Sequence, residues 1–233
     1  MIKKAVLLAA GKGTRMKELT NELPKPMLEV RGKPILLHII EGLRAAGVVE
    51  FCIVVGFKAE VVRAFFGDGE KFGVRITYAT QVVQDGTGRV VELAKEFAGD
   101  DPFVLSYGDI LIAPENYVRL TTLDAEALVS VKRNEGEMAK GGCVVVNERF
   151  ELTDLIEKPA GPAPSPWYNA GVYAFRPSIF TFTAKLKLSP RGEYELTDAI
   201  RDLAQSGAVV SVVELAGDWA DVRDPEVLAA LNA

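Results

Sequence analysis

The stretch Leu8-Ala9-Ala10-Gly11-Lys12-Gly13-Thr14-Arg15-Met16 sets two glycines among two cations directly after an apolar run. Glycines let backbone N–H groups approach a phosphate closely, and Lys12 and Arg15 add positive charge, so the stretch can cradle a phosphate. It has neither the G-x-x-x-x-G-K-[ST] nor the G-x-G-x-x-G spacing, since Met16 stands where the third glycine would be. A plain tight turn is the alternative. Farther on, Pro24-Lys25-Pro26 holds one lysine between prolines of fixed φ, which restricts where the ammonium can go. Taken alone, that pattern also suits a solvated lysine in a turn.

Two aspartates invite a metal reading. Asp109 follows the apolar run Phe103–Ser106, and a strand there would deliver it to the carboxyl end of a sheet, where open α/β folds bind ligands. Asp221 follows the β-branched run Val209–Glu214 by a short loop and could reach the same crevice. Mg²⁺ takes one or two carboxylates and completes its octahedron with substrate oxygens and water, so this pair would suit it. Either aspartate alone is more ordinarily a helix cap or turn residue. Asn169 lies within a strand-like run, although asparagine is depleted from strands and needs partners when buried. A sugar hydroxyl would be one such partner; a bulge or a cross-strand backbone contact would be another. Glu157 and Lys158 adjoin at a strand end, so their side chains face opposite ways unless Pro159 bends the chain there.

These groups need elements to position them. Strand-like runs at Ala5–Ala9, Phe51–Val55, Val74–Ala79 and Phe103–Ser106 alternate with helical spacing at Leu36–Leu43 and Val90–Phe97, the pattern of βαβ units and a parallel sheet. The middle turns mostly strand-like, at Ala127–Val131, Gly142–Val146, Leu152–Glu157 and Tyr168–Phe175, with a proline-rich loop from Pro159 to Pro166. An antiparallel or mixed extension of the same sheet is expected there. Helical spacing returns at Leu196–Leu203, followed by a strand at Val209–Glu214 and a terminal helix carrying Val227, Leu228 and Leu231.

Composition excludes several classes. With 48% apolar and 25% charged residues the chain can bury a core, and disorder is excluded. A net charge of −5 argues against a non-specific nucleic-acid binder but leaves room for a small anionic ligand. Cys52 and Cys143 lie far apart inside β-branched runs, as buried thiols do. His38 is the only histidine, so a multi-histidine zinc site is excluded, and its helical setting makes it structural. The apolar start ends in the glycine turn rather than a cleavage site, and no run approaches the roughly 18 residues of a membrane span. A cytoplasmic location is expected, with neither membrane nor nucleic acid as partner.

Together, L-A-A-G-K-G-T-R-M and L-P-K-P-M-L resemble the signature of the sugar-nucleotide pyrophosphorylases, the nucleotidyltransferases that activate sugar 1-phosphates. Later motifs extend the resemblance almost to the end of the chain. Gln81-Val82-Val83-Gln84-Asp85-Gly86-Thr87-Gly88 is similar to the family's base-recognition loop, and Ser106-Tyr107-Gly108-Asp109 to its metal-binding strand end. Glu157-Lys158-Pro159 and Tyr168-Asn169-Ala170-Gly171-Val172-Tyr173 resemble its sugar-pocket motifs, and Trp219-Ala220-Asp221 its closing W-x-D. Gly192–Asp198 is similar to a segment near the sugar site, although a helix N-terminus accounts for it.

The resemblance implies a Rossmann-like three-layer α/β/α sandwich with a mixed, mostly parallel central sheet, the nucleotide-diphospho-sugar transferase fold. Residues 1–233 are expected to form one domain without a C-terminal left-handed β-helix, since no hexapeptide repeat occurs. The implied partners are a nucleoside triphosphate and a sugar 1-phosphate, with Mg²⁺ as cofactor. Arg15 and Lys25 are expected to act on the triphosphate and its α-phosphate. Leu8, Ala10, Gly11, Gly13, Thr14, Gln81, Gly86 and Thr87 would hold the nucleotide, Gly142, Glu157, Lys158 and Asn169 the sugar phosphate, and Asp109 and Asp221 the metal. The base loop looks closest to uridylyltransferases, so UTP is favoured, while guanylyl- and thymidylyltransferases on mannose-, heptose- or glucose-type phosphates carry similar loops. Amino-sugar recycling, a cytidylyltransferase and a silent nucleotide-sugar-binding homologue are further readings. Exposed helices or the Pro159–Pro166 loop could supply a homodimer contact.

Overall fold

The computed structural model describes residues 1–133 and 141–233. Its strands are β1 (Lys4–Ala9), β2 (Glu29–Val30), β3 (Lys33–Pro34), β4 (Glu50–Val55), β5 (Arg75–Thr80), β6 (Phe103–Tyr107), β7 (Ile110–Ile112), β8 (Ala127–Arg133), β9 (Gly142–Val146), β10 (Leu152–Glu157), β11 (Trp167–Phe175), β12 (Val210–Glu214) and β13 (Trp219–Asp221). The helices are α1 (Ile35–Ala45), α2 (Ala59–Phe66), α3 (Thr87–Glu92), α4 (Lys95–Ala98), α5 (Glu115–Leu120), α6 (Ile179–Thr183), α7 (Leu196–Gln205) and α8 (Pro225–Asn232).

Among the described residues the central sheet has nine strands. Strands β5, β4, β1 and β6 lie side by side and parallel, with Leu7 paired to Ile53 on one flank and Ser106 on the other. Strand β11 then runs antiparallel to β6 and carries both β8 and the β9–β10 hairpin, while β12 pairs parallel with β8. Side chains along a strand alternate between faces. Ala5, Leu7 and Ala9 accordingly pack with α1, α2 and α5 on one side, and Val6, Cys52 and Val54 with α3, α4, α6 and α7 on the other. Helices on both faces of a mixed, mostly parallel sheet make the expected three-layer sandwich. Both cysteines are buried free thiols, and the His38 ring lies 2.7 Å from the Val30 carbonyl. Among the described residues no helix is long and apolar enough to cross a membrane.

Two expectations need correction and one gains detail. The spacing over Val90–Phe97 reads as one helix, but α3 and α4 are separate. The N–H groups of Leu93 and Ala94 donate three residues back, to Val90 and Val91, which tightens and ends the first helix. Asp221 follows β12 by the expected short loop, and it ends a strand of its own, β13, which pairs antiparallel with β7 in a small ribbon outside the main sheet. The chain also bends at Lys158 itself, at φ 46°, one residue before Pro159.

Candidate active site

Two cavities lie at the carboxyl ends of β1 and β6 and share Thr87, Tyr107 and Glu193. The first, of about 410 Å³, takes Leu8, Ala10, Gly11 and Gly13 from the end of β1 and its turn, and Gln81, Gly86 and Thr87 from the loop between β5 and α3. Lys25 and Asp109 also line it. The second, of about 220 Å³, gathers Arg15, Gly142, Glu157, Lys158, Asn169 and Asp221. Residues far apart in sequence therefore meet in two adjoining spaces. Thr14 does not join them: it is exposed, opens the 3₁₀ turn Thr14–Thr20 and lies outside both linings.

The turn after β1 packs directly on Lys25. Gly13 has φ +63°, and a Cβ there would come within 2.9 Å of the Lys25 Cβ, so only glycine fits. Lys25 opens the short turn Lys25–Met27, closed by Met27 N–H donating to the Pro24 carbonyl at 2.8 Å. Its ammonium forms an ion pair with the Asp109 carboxylate, and the two side chains are only 13% and 27% exposed. A lysine held this way is directed into the cavity, not released to solvent.

Asp109 leaves the end of β6 just before β7, and Asp221 lies opposite Ile110 in the β7–β13 ribbon. The Val222 N–H donates to the Asp109 carbonyl at 2.9 Å, which ties the two aspartate positions together through the backbone. Burial and the charge of Asp109 push the Asp221 carboxyl up to about 6, against the opposing pull of Lys25, Arg223 and Arg15. Ionising both carboxylates is therefore costly without a further cation nearby. Among the described residues no group of three or more histidine, cysteine, aspartate or glutamate side chains could hold a metal. Two carboxylates beside phosphate-sized space fit Mg²⁺, which draws its remaining ligands from water and substrate oxygens.

The second cavity is dominated by charge. Lys158, in its left-handed turn, donates its N–H to the Gly141 carbonyl at 3.0 Å, and the bend brings both Glu157 and Lys158 to the cavity wall. Burial and Glu195 raise the pKa of Glu157, with Lys158 and Arg191 opposing. Asn169 marks a bulge: the β11–β8 register shifts between Asn169 and Tyr173. Its Nδ2 donates to the Tyr173 hydroxyl at 2.8 Å and its Oδ1 accepts from Gly171 N–H at 3.3 Å, so its partners here are local.

Several residues on these walls carry no signal that spacing alone could pick out. Arg191 reaches Glu157, Glu193 and Glu195 at 3.3, 3.4 and 3.1 Å. Gln84 Nε2 donates to the Ala10 carbonyl at 3.1 Å, joining the loop between β5 and α3 to the turn after β1. Tyr107, whose phenol burial keeps neutral, stands where both cavities meet. Tyr194 fastens the β5–α3 loop to the opposite wall. Its N–H donates to the Asp85 carbonyl and its carbonyl accepts from Gly88 N–H, both at 2.8 Å, while the Arg89 guanidinium stacks 4.4 Å from its ring. Gly86, at φ +118°, allows this approach, since a Cβ there would fall 2.4 Å from the Tyr194 carbonyl oxygen. The similarity of Gly192–Asp198 to a sugar-site segment was the available pointer to Arg191 and Tyr194.

Comparison with known proteins places this geometry among relatives. The model of the nucleotidyl transferase family matches residues 4–233. The UTP–glucose-1-phosphate uridylyltransferase AglF of Haloferax volcanii is 38% identical, over 95% of this chain and 92% of that protein. The glucose-1-phosphate thymidylyltransferase of Streptomyces griseus is 34% identical, over 98% of this chain and 65% of that one. The crystal structure of a UDP-glucose pyrophosphorylase complexed with UDP-glucose superposes with a TM-score of 0.89 at 25% identity, covering 100% of this chain and 97% of that one. The chain spans only 51 to 65% of the length of other curated relatives that it matches.

Proposed function

Since this chain belongs to the nucleotidyl transferase family, among the sugar-1-phosphate nucleotidyltransferases, we propose that it transfers a nucleoside monophosphate from a nucleoside triphosphate to a sugar 1-phosphate and releases pyrophosphate. The observation that carries this reading is the position of Lys25, Asp109 and Asp221 where a glycine-lined cavity adjoins a charged one. A nucleotide would occupy the first space and a sugar phosphate the second, with the reacting phosphates between them.

In that arrangement a phosphate oxygen of the sugar 1-phosphate attacks the α-phosphorus in line, forming one P–O bond as the bond to pyrophosphate breaks. The attacking oxygen is already ionised near neutral pH, so no general base is needed and the protein's task is positional and electrostatic. Lys25 would hold the α-phosphate, Arg15 the triphosphate and Lys158 the sugar phosphate. Mg²⁺, held by Asp109 and Asp221, would neutralise phosphate charge and help orient the reacting groups. Glu157 and Asn169 would accept and donate hydrogen bonds to sugar hydroxyls, and Gly142 leaves room beside them. Gln81, Gly86 and Thr87 would meet the base.

We favour UTP as donor. The base loop and the likeness to AglF and to the UDP-glucose pyrophosphorylase support it, whereas the Streptomyces griseus relative supports dTTP as the second reading. The test is pyrophosphate release with Mg²⁺ across UTP, dTTP, GTP, CTP and ATP against glucose, N-acetylglucosamine, mannose and heptose 1-phosphates. Turnover with UTP is expected. Turnover with dTTP alone would move the assignment to thymidylyl transfer, and nucleotide binding with every combination silent would favour a non-catalytic homologue.

A further inference from the structure

We propose that Asn116 locks the register of the β7–β13 ribbon and thereby sets the direction in which Asp221 points. This rests on the reading that Asp109 and Asp221 hold the metal. The ribbon pairs Trp219 with Ile112, Ala220 with Leu111 and Asp221 with Ile110, and the Val222 N–H bond to the Asp109 carbonyl extends it at one end. A two-stranded ribbon this short is marginal by itself. Because side chains alternate with a period of two, a slip of one residue would turn Asp221 to the opposite face. Alanine 220 or Val222 would take its place, and the second carboxylate would be lost from the site. The Val222 bond to Asp109 and the Trp219 Nε1 bond to the Ala170 carbonyl at 3.0 Å hold β13 itself, and the loop that leads into it needs a hold of its own.

Asn116 is placed to supply that hold. It lies in α5, just after β7, and is 1% exposed. Its Oδ1 accepts from the Ala216 N–H at 2.9 Å, and its Nδ2 donates to the Ala216 carbonyl at 2.9 Å and the Ala113 carbonyl at 3.0 Å. Ala113 directly follows β7 and Ala216 precedes β13, so one side chain grips the backbone on both sides of the ribbon's far end. Ala113 N–H also donates to the Asp218 carbonyl at 2.9 Å. Only a carboxamide of this length supplies an acceptor and two donors together. From the other side, Lys132 on β8 donates to the Leu215 and Gly217 carbonyls at 3.1 and 2.7 Å. Neither Asn116 nor Lys132 lines either cavity. They are positioning residues, acting through Asp221.

The test is a titration of the purified chain with Mn²⁺, followed by the EPR signal of the free ion, for wild type, Asn116→Asp, Lys132→Met and Asp221→Asn, with a thermal melt of each. Asn116→Asp keeps the size and one acceptor but loses both donated bonds. It should weaken Mn²⁺ several-fold, because a ribbon free to slip no longer holds the second carboxylate towards the ion. Lys132→Met should weaken it less, and in neither variant should KM for nucleotide or sugar phosphate move as far as kcat. Asp221→Asn must also weaken Mn²⁺; if it does not, the metal reading and this proposal fall together. If Asp221→Asn weakens Mn²⁺ while the folded Asn116 and Lys132 variants keep wild-type affinity, Asn116 merely stabilises a loop and the register lock is wrong. Should Asn116→Asp fail to fold, Lys132→Met decides alone.

Discussion

The two cavities are built from different materials. The first includes four glycines in its wall, Gly11, Gly13, Gly86 and Gly108, which let the backbone come close. The second is walled by charged side chains: Arg15, Glu157, Lys158, Arg191, Glu193, Glu195 and Asp221. The difference follows the topology. Parallel strands end in tight turns at one edge of the sheet, where backbone N–H groups converge. The antiparallel extension offers bulges and strand ends, such as those at Asn169 and Lys158, that aim side chains into a common space. Shape selects in one half, and charge selects in the other.

Replacing the residues where the halves meet should have the largest effect. Lys25→Ala and Asp109→Asn should each fold normally and lose about 10²–10³ in turnover, the usual cost of one preorganised charge, measured as pyrophosphate release. A Lys25→Ala variant that raised only KM would make that lysine a uniform binder and shift the chemistry elsewhere. Next, Gly86→Ala should raise KM for the nucleoside triphosphate far more than KM for the sugar phosphate. The strain of a side chain at that φ, about 1–3 kcal/mol, and the collision of its Cβ with the Tyr194 main chain displace first the loop that carries Gly86. Equal effects on both substrates would blur the division.

Glu157→Gln should act on the other half, raising KM for the sugar phosphate several-fold. It also carries a pH signature. Because the Glu157 pKa is raised, the folded chain keeps a proton that the unfolded chain has lost, and stability falls as pH rises from the ordinary carboxylate range through the raised value. The glutamine variant should therefore melt higher than wild type at neutral pH, and the gain should vanish near pH ~4, where both forms are neutral. The smallest expected effect is that of salt. Going from about 0.1 M to about 1 M shortens the Debye length from about 10 Å to about 3 Å, and KM for the sugar phosphate should rise more than the affinity for uridine falls.

The parts of this architecture that repeat were legible in the sequence. Strands β1, β4, β5 and β6 are strand-like runs long enough to show their character, and α1 and α7 show helical spacing. Short elements were not legible: β7 and β13 have three residues each, too few for any period, yet they carry the second carboxylate. Lys25 and Asp109 could be singled out because prolines and a preceding strand mark them. Arg191, Gln84 and Tyr107 could not, because what defines them is the partner across the cavity, which no local pattern encodes. Asn169 shows the reverse. Its oddity in a strand was visible, and its hydrogen bonds to Tyr173 and Gly171 supply the local explanation.

The fastening of Asp85 and Gly88 to Tyr194 bears on how such a chain can be re-engineered. Grafting residues 81–88 from a relative of different base preference would import a loop without the wall it is hydrogen-bonded to. The same segment carries Arg191, which itself lines the charged space. A change of nucleobase and a change of sugar are thus not separable design problems here, and a successful graft would have to move both segments as one unit.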